Sequence, residues 1–333
     1  MQAVVFSAMG QAMQCIERPE LVPGAGQAIV QLQAAGLNRR DYWITQGKYP
    51  NIQTPTVLGS DGTGTVTQVG TDVSPSWLGR RVILYPGLDW GPNPAAQGPL
   101  FRVLGMPDDG TFATSVQVPI ESLFDKPTHL SWQEAAALPL AGVTAYRALI
   151  VQGEVRAGQS VLITGIGGGV ATFALQFAVA AGAEVWVTSS STRKIQHAVS
   201  LGARDGFDYR RDGWDRELLE RCGPMDLVID SAGGSGYRNL IRIAAPGGRL
   251  VSYGSTAGRP AEFDLFKVFW KQLKVIGSTM GSPDDFAAML DMVRHYQIHP
   301  VVDQVFSLDD AATAVAHMAD SPQFGKLVLN CRI

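Results

Sequence analysis

The sequence predicts an α/β protein in two parts, a β-rich unit and a doubly wound parallel sheet. Three observations carry that expectation. Up to about residue 125, short alternating or β-branched runs are separated by glycine and proline; after residue 130, helical and strand patterns alternate; and one strand-to-helix junction holds a cluster of glycines. At 333 residues the chain is long for one compact unit. The expected division is residues 1–126 with 282–333, and 127–281.

Taken in order, "MQAVVFSAMG" lacks the basic start and long apolar run of an export signal and reads as a first strand. "QAIVQLQAAG", "GTGTVTQVG", "RRVILYP" and "TFATSVQVP" follow as the strands of a partly closed barrel or curved sheet. Residues 86–99, "PGLDWGPNPAAQGP", are expected to form an excursion without regular structure. From "LSWQEAAALPLAGVTAYRALI" onward, helices alternate with the strands "SVLITG", "AEVWVTS", "MDLVIDS", "GRLVSYG" and "LKVIGST", which implies right-handed crossovers and a parallel sheet. After residue 282 come helix, strand "VVDQVFSL", helix and strand "GKLVLNC"; these last strands are expected to rejoin the first unit.

Composition removes several classes of function. With 46% hydrophobic and 17% charged residues and a net charge of -3, the chain is neither disordered nor built to coat a polyanion, so no nucleic-acid partner is expected. Cys15, Cys222 and Cys331 are far apart and odd in number, which indicates no disulfide framework and no cysteine zinc site and points to the cytoplasm. Residues 157–183 carry no charge, yet four glycines split the run into pieces too short to span a membrane.

The glycine cluster stands in "VLITGIGGGVATFALQFAVAAGAEVWVTSSSTRK": strand, glycines, uncharged helix, second strand. Glycines allow a sharp turn and close approach to a pyrophosphate, and the first amides of the following helix point their donors at its charge. Gly167, Gly168, Gly169 and Val170 are therefore expected to hold a dinucleotide, with Ala171 where the fingerprint more often has glycine. A plain flexible turn is the competing reading. The second strand ends without the carboxylate that usually holds the adenosine ribose; Ser189, Ser190, Arg193 and Lys194 stand there instead and favour NADPH over NADH. Ser231, Tyr253 and Gly254 end strands at the same sheet edge and are expected to line the nicotinamide half.

"GLNRRD", "TVLGSDGTG", "LPLAGVTAYRAL", the glycine loop, "GARDGFDY" and "FGKLVL" together resemble the medium-chain dehydrogenases/reductases over almost the whole chain. The resemblance implies a GroES-like catalytic domain, a Rossmann domain, and cofactor neighbours that include Thr144, Tyr209 and Lys326. Zinc enzymes of that family have a cysteine near the place of Asn38 and a His-Glu pair where this chain has Ser60 and Asp61, and the cysteines of their structural zinc lobe are missing from residues 86–99. None of the five histidines has a cysteine or histidine partner at ligand spacing, so no metal is expected. The chain is more similar to the zinc-free branch of quinone oxidoreductases and 2-enoyl thioester reductases, whose Asn-x-x-Asp…Gly-x-Tyr pattern is met by Asn38, Asp41, Gly47 and Tyr49.

That likeness implies hydride transfer from NADPH to a quinone or α,β-unsaturated carbonyl, with Tyr49 and Asn38 as the donors that stabilise the developing oxyanion. Arg39, Arg40 and Asp41 are expected to form surface ion pairs or pairs behind the site. The alternatives are a zinc-type alcohol dehydrogenase with atypical ligands such as Asp61, or a catalytically weak NADPH-binding protein. A homodimer, or a tetramer, is expected through the apolar edge strand in "LKVIGSTMG".

Overall fold

The computed structural model describes residues 1–332. It divides into two compact units, Met1–Ala141 with Ser282–Ile333, and Gly142–Gly281.

The first unit is built on a seven-stranded sheet. Its order runs Leu123–Asp125, Arg81–Leu84, Asp61–Val69, Gln27–Gly36, Lys326–Asn330, Val302–Ser307, with Ser115–Pro119 also paired to Gln27–Gly36. A three-stranded sheet of Gln14–Glu17, Gln2–Phe6 and Thr56–Val57 lies beside it in the same unit. The strand from "FGKLVL" does rejoin this unit: it runs antiparallel to Gln27–Gly36, with Val328 opposite Gly36. Small residues make that junction tight. Ala34, Ala136, Ala137 and Val328 form one buried cluster, and a Cβ on Gly36 would lie 2.3 Å from the Ala136 carbonyl oxygen.

Residues 86–99 form the expected excursion without regular structure, apart from one two-residue strand. Gly87–Leu88 is a short strand paired with Arg102–Val103, and Trp90 is buried, its indole N–H donating to the Asn93 carbonyl at 3.1 Å. The large ring drives this local order, because burying it removes much apolar surface from water and its N–H finds an acceptor within three residues.

The second unit holds six parallel strands: β1 (Ser160–Ile163), β2 (Glu184–Thr188), β3 (Asp205–Phe207), β4 (Met225–Asp230), β5 (Ala244–Ser252) and β6 (Lys274–Gly277). Their spatial order is 3-2-1-4-5-6, the doubly wound arrangement of dinucleotide-binding folds. β1 and β4 are buried almost throughout, as strands covered on both faces must be. The helices α1 (Gly169–Ala180), α2 (Thr192–Ser200), α3 (Trp214–Cys222), α4 (Tyr237–Ile243) and α5 (Leu265–Trp270) supply the crossovers. β1 and β4 are sequence-distant neighbours, so the reversal of strand order falls between them, where such sheets open a crevice at their carboxyl ends. Among the described residues no helix is long and apolar enough to cross a membrane.

Candidate active site

In the first unit, the stretch from Leu37 to Tyr49 folds over a helix, Arg39–Thr45. Asp41 stands three residues after the cap residue Asn38, and its Oδ2 accepts the Asn38 backbone N–H at 2.8 Å, the contact that starts such helices. The helix period then separates the two arginines. Arg39 turns outward, donating to the Met318 carbonyl and to Ser321 Oγ at 3.0 Å, with its guanidinium 5.0 Å from the rings of Tyr42 and Trp43.

Arg40 turns inward and is buried, so of the two expected placements it takes the one behind the site, where its charge opposes the rise of the buried Asp41 carboxyl. Its Nη1 donates to Ser60 Oγ at 2.7 Å and to the Leu104 carbonyl at 2.8 Å, and its Nε donates to the Tyr49 hydroxyl at 3.4 Å. The same guanidinium lies 5.1 Å from the Tyr49 ring centroid. Tyr49 is half-buried, its ring packed against the core. Because the phenolic oxygen accepts from Arg40, its own proton is left for another acceptor.

Asp61 begins the strand Asp61–Val69 opposite Gly36 and is fully buried. The turn before it requires glycine: Gly59 has φ +92°, and a Cβ there would sit 2.4 Å from the Phe112 ring. Asp61 Oδ1 accepts the Leu140 N–H at 2.9 Å, and Oδ2 faces Lys326 Nζ at 3.1 Å. The Lys326 ammonium also donates to the Leu37 carbonyl and to Asn38 Oδ1, each at 2.5 Å. Burial pushes the Asp61 carboxyl up, while Lys326 and then the Asn38 amide dipole pull it back. Asn38 Nδ2 is itself buried and has no acceptor in hydrogen-bonding geometry.

Asp41 is pushed from 3.8 to about 6 by burial, against the opposing pull of Arg40. The folded chain thus holds this proton more tightly than the unfolded chain. Its contribution favours folding below about pH 4 and is lost as pH rises through about 6. Asp41→Asn, uncharged throughout, is expected to show a smaller fall in Tm than the parent between pH 4 and 7. Parallel Tm curves would refute the assignment.

The family's zinc can be tested against these donors. Around Lys326 Nζ stand a carbonyl, an amide oxygen and one carboxylate whose other oxygen is already taken, with no thiolate or imidazole among them. Among the described residues, no group of three or more histidine, cysteine, aspartate or glutamate side chains is placed to hold a metal. Zinc sites use nitrogen and sulfur ligands above all, so this set does not fit one.

In the second unit, the glycine loop joins β1 to α1. Gly165 and Gly167 take φ +63° and +115°, and a Cβ on Gly167 would lie 2.7 Å from Lys194 Cδ, so Lys194 lies across the loop. Gly168 is the cap residue of α1, and Gly169 and Val170 form its first turn, where amide donors have no intrahelical partner. Thr188 Oγ1 accepts the Gly165 N–H at 3.3 Å. Ser189 Oγ accepts from the Ser191 N–H, and Ser191 Oγ caps α2 at the Lys194 N–H. Arg193 is exposed in the first turn of α2, Tyr209 is 49% exposed, and Arg210 donates to the Ser190 carbonyl.

The tips of β1 and β4 are tied by Asp230, a residue sequence reading passed over. Its Oδ1 accepts from Thr164 Oγ1 at 2.7 Å, and its Oδ2 accepts the Gly233 N–H at 2.9 Å. This fixes Ser231, 3.5 Å from where a Gly165 Cβ would stand, and the Asp230 carbonyl accepts the Tyr253 N–H at 3.0 Å. Burial raises the Tyr253 hydroxyl well above its ordinary value, only partly offset by the Ser231 hydroxyl. Gly254 follows it, where a Cβ would lie 2.9 Å from the Ser231 carbonyl oxygen. Thr144 is buried in the helix Pro139–Tyr146. Lys326 belongs to the other unit, its donors directed at Leu37, Asn38 and Asp61. The tight turn, the open helix amides and the lysine beside them suit a dinucleotide pyrophosphate.

Fold and site together define a two-domain, nicotinamide-dependent oxidoreductase. Residues 24–128 match the alcohol dehydrogenase GroES-like domain and residues 169–295 the zinc-binding dehydrogenase domain. The chain belongs to the medium-chain dehydrogenase/reductase family. It is 35% identical over 329 residues to the zinc-type alcohol dehydrogenase-like protein YogA of Leptosphaeria maculans, covering 92% of this chain and 91% of that protein. It is 31% identical over 318 residues to a quinone oxidoreductase of Pseudomonas aeruginosa, covering 92% of each. Among solved structures it is similar to one described as an NAD-dependent alcohol dehydrogenase, with a TM-score of 0.93 at 34% identity over 99% of both chains.

Proposed function

We propose that this enzyme is an NADPH-dependent reductase of quinones or α,β-unsaturated carbonyls that works without a metal. One observation carries the reading: Asn38 and Asp61, at the positions where the resemblance puts zinc ligands, surround a buried lysine ammonium with no thiolate or imidazole beside it. Bound NADPH supplies the hydride. As it adds to a carbonyl-conjugated acceptor, negative charge grows on the carbonyl oxygen, and preorganised donors stabilise it more than they stabilise the ground state. Tyr49 O–H and Asn38 Nδ2–H are the two donors. Arg40 holds the first by its oxygen and Lys326 the second.

The preference for NADPH rests on the tip of β2, which itself ends without a carboxylate and has Ser190, Arg193 and Lys194 beside it; Arg210, which donates to the Ser190 carbonyl, is paired with Asp208 at 3.0 Å. Thr144, Tyr209, Ser231, Tyr253 and Gly254 complete the proposed cofactor contacts. Lys326 is reassigned from the phosphates to the donor site.

The test is a panel of quinones, enones and alcohols assayed with NADPH and NADH, beside metal analysis of the purified protein. NADPH-dependent reduction of a quinone or enone, unaffected by chelation, is the expected result. Alcohol oxidation lost on chelation and restored by zinc would establish the zinc-type alternative instead, and saturable NADPH binding without any turnover the non-catalytic one.

We also propose a homodimer, or a tetramer, formed at the β6 edge. There α5 exposes Leu265, Phe266, Phe269 and Trp270 at 60 to 73%, with Phe266 and Trp270 stacked 5.8 Å apart, beside an edge strand with open backbone donors. Phe266→Glu with Trp270→Glu is expected to shift the mass in sedimentation to that of one chain. An unchanged mass would move the interface elsewhere. Three free thiols fit a cytoplasmic setting.

A further inference from the structure

Lys326 opens the strand Lys326–Asn330 with its side chain turned inward, 4% exposed. An ammonium is costly to bury unless its donors are used, and here all three are: Leu37 O, Asn38 Oδ1 and Asp61 Oδ2. Asp61 neutralises the charge. The Asn38 contact does something else. A carboxamide is nearly symmetric in shape, and its neighbours decide which end points where. An ammonium can only donate, so it keeps Oδ1 on its own side and sends Nδ2 away.

Nδ2 leans toward the Asp61 carboxyl, which it helps hold down, but outside hydrogen-bonding geometry. Both Asp61 oxygens are engaged, by the Leu140 N–H and by Lys326, and Nδ2 stays buried without an acceptor in hydrogen-bonding geometry. An unmet buried donor carries a desolvation penalty, which a bound oxygen would relieve. A charge-assisted bond to Oδ1 also draws electron density from the amide and strengthens the opposite N–H as a donor.

We infer that Lys326 is a positioning residue that acts through Asn38: it orients and polarises the amide so that Nδ2–H meets the carbonyl oxygen of the substrate as charge develops there. The inference deepens the proposed reductase function and rests on it.

A double-mutant cycle tests it, comparing the parent, Asn38→Ala, Lys326→Met and the double variant. For each, kcat and KM are measured with the quinone or enone the parent reduces fastest, NADPH affinity by fluorescence, and folding by thermal unfolding. Asn38→Ala and Lys326→Met are each expected to lower kcat on the order of ten- to a hundredfold, toward the loss of one oxyanion donor, with NADPH affinity unchanged. The double variant is expected to be no slower than Asn38→Ala alone, because Lys326 acts only through that amide. Lys326→Arg is expected to recover part of the rate.

Multiplying losses, or full turnover in Lys326→Met, would overturn the inference, as would full turnover in Asn38→Ala. If Lys326→Met fails to fold with Asp61 stranded, it is combined with Asp61→Leu, which removes both buried charges together, and that pair with and without Asn38→Ala is judged by the same criteria. A parent that reduces no quinone or enone overturns the function and this inference together, whereas an active parent with multiplying losses overturns the inference alone.

Discussion

Tyr49→Phe is expected to lower kcat with a cognate quinone or enone by roughly 10²- to 10³-fold while leaving NADPH affinity unchanged, the effect typical of removing one donor from an oxyanion site. The substitution isolates the hydroxyl. The phenyl ring keeps its packing against the core and its place over Arg40. Arg40 loses only its longest contact, at 3.4 Å, and retains Ser60 and the Leu104 carbonyl, so the buried guanidinium is not stranded. A fall in kcat/KM of about 3 to 4 kcal/mol with unchanged thermal stability would therefore report transition-state stabilisation and not a loosened site. Unchanged turnover would remove Tyr49 from the mechanism.

The second large effect concerns folding. Asp61→Ala is expected to destabilise the first unit by about 3 to 5 kcal/mol, because it leaves the Lys326 ammonium buried without its counter-charge. The Leu140 N–H also loses its acceptor. The loss should appear as a lower urea midpoint. Asp61→Leu combined with Lys326→Met is expected to cost less than Asp61→Ala, since burial opposes the charged form of Asp61 more than any single partner supports it. If the double change is the worse of the two, the pair is a net stabiliser and that reasoning fails. Either result bears on how the internal cation is held, in a balance of desolvation against attraction.

Much of the architecture was legible because it is written in local patterns. The β-branched strands from "SVLITG" to "LKVIGST" appear in the expected parallel sheet, and the final strand rejoins the first unit as expected. Residues 86–99 were legible as an irregular excursion from their prolines and glycines, but not that Trp90 is buried within it, because a local run of turn residues does not say where a ring packs.

The candidate site was legible in its residue types more than in its connections. "NRRD" shows two adjacent arginines, and a helix period places adjacent side chains about 100° apart, so one can face inward and the other outward. Which one does so depends on acceptors far along the chain, Ser60 and Leu104 for Arg40, Met318 and Ser321 for Arg39. Lys326 was likewise visible as a lysine in "FGKLVL", but its acceptors lie 265 to 289 residues away and no local spacing announces them. Asp230 was missed although it ends a clear strand, because a carboxylate at a strand tip has no local mark that it ties two strands together.

The late return of the strand Lys326–Asn330 also sets an order of events during synthesis. Asn38 and Asp61 leave the ribosome long before the lysine that completes them. At about 5 to 20 residues per second the wait lasts roughly ten seconds to a minute. The unit Gly142–Gly281 is contiguous and can close first, so the part of the chain made earliest is the part that matures last. A nascent chain arrested near residue 300 should protect Gly142–Gly281 from protease while Met1–Ala141 remains open to it, and equal protection of both would show that the first unit closes without its final strand.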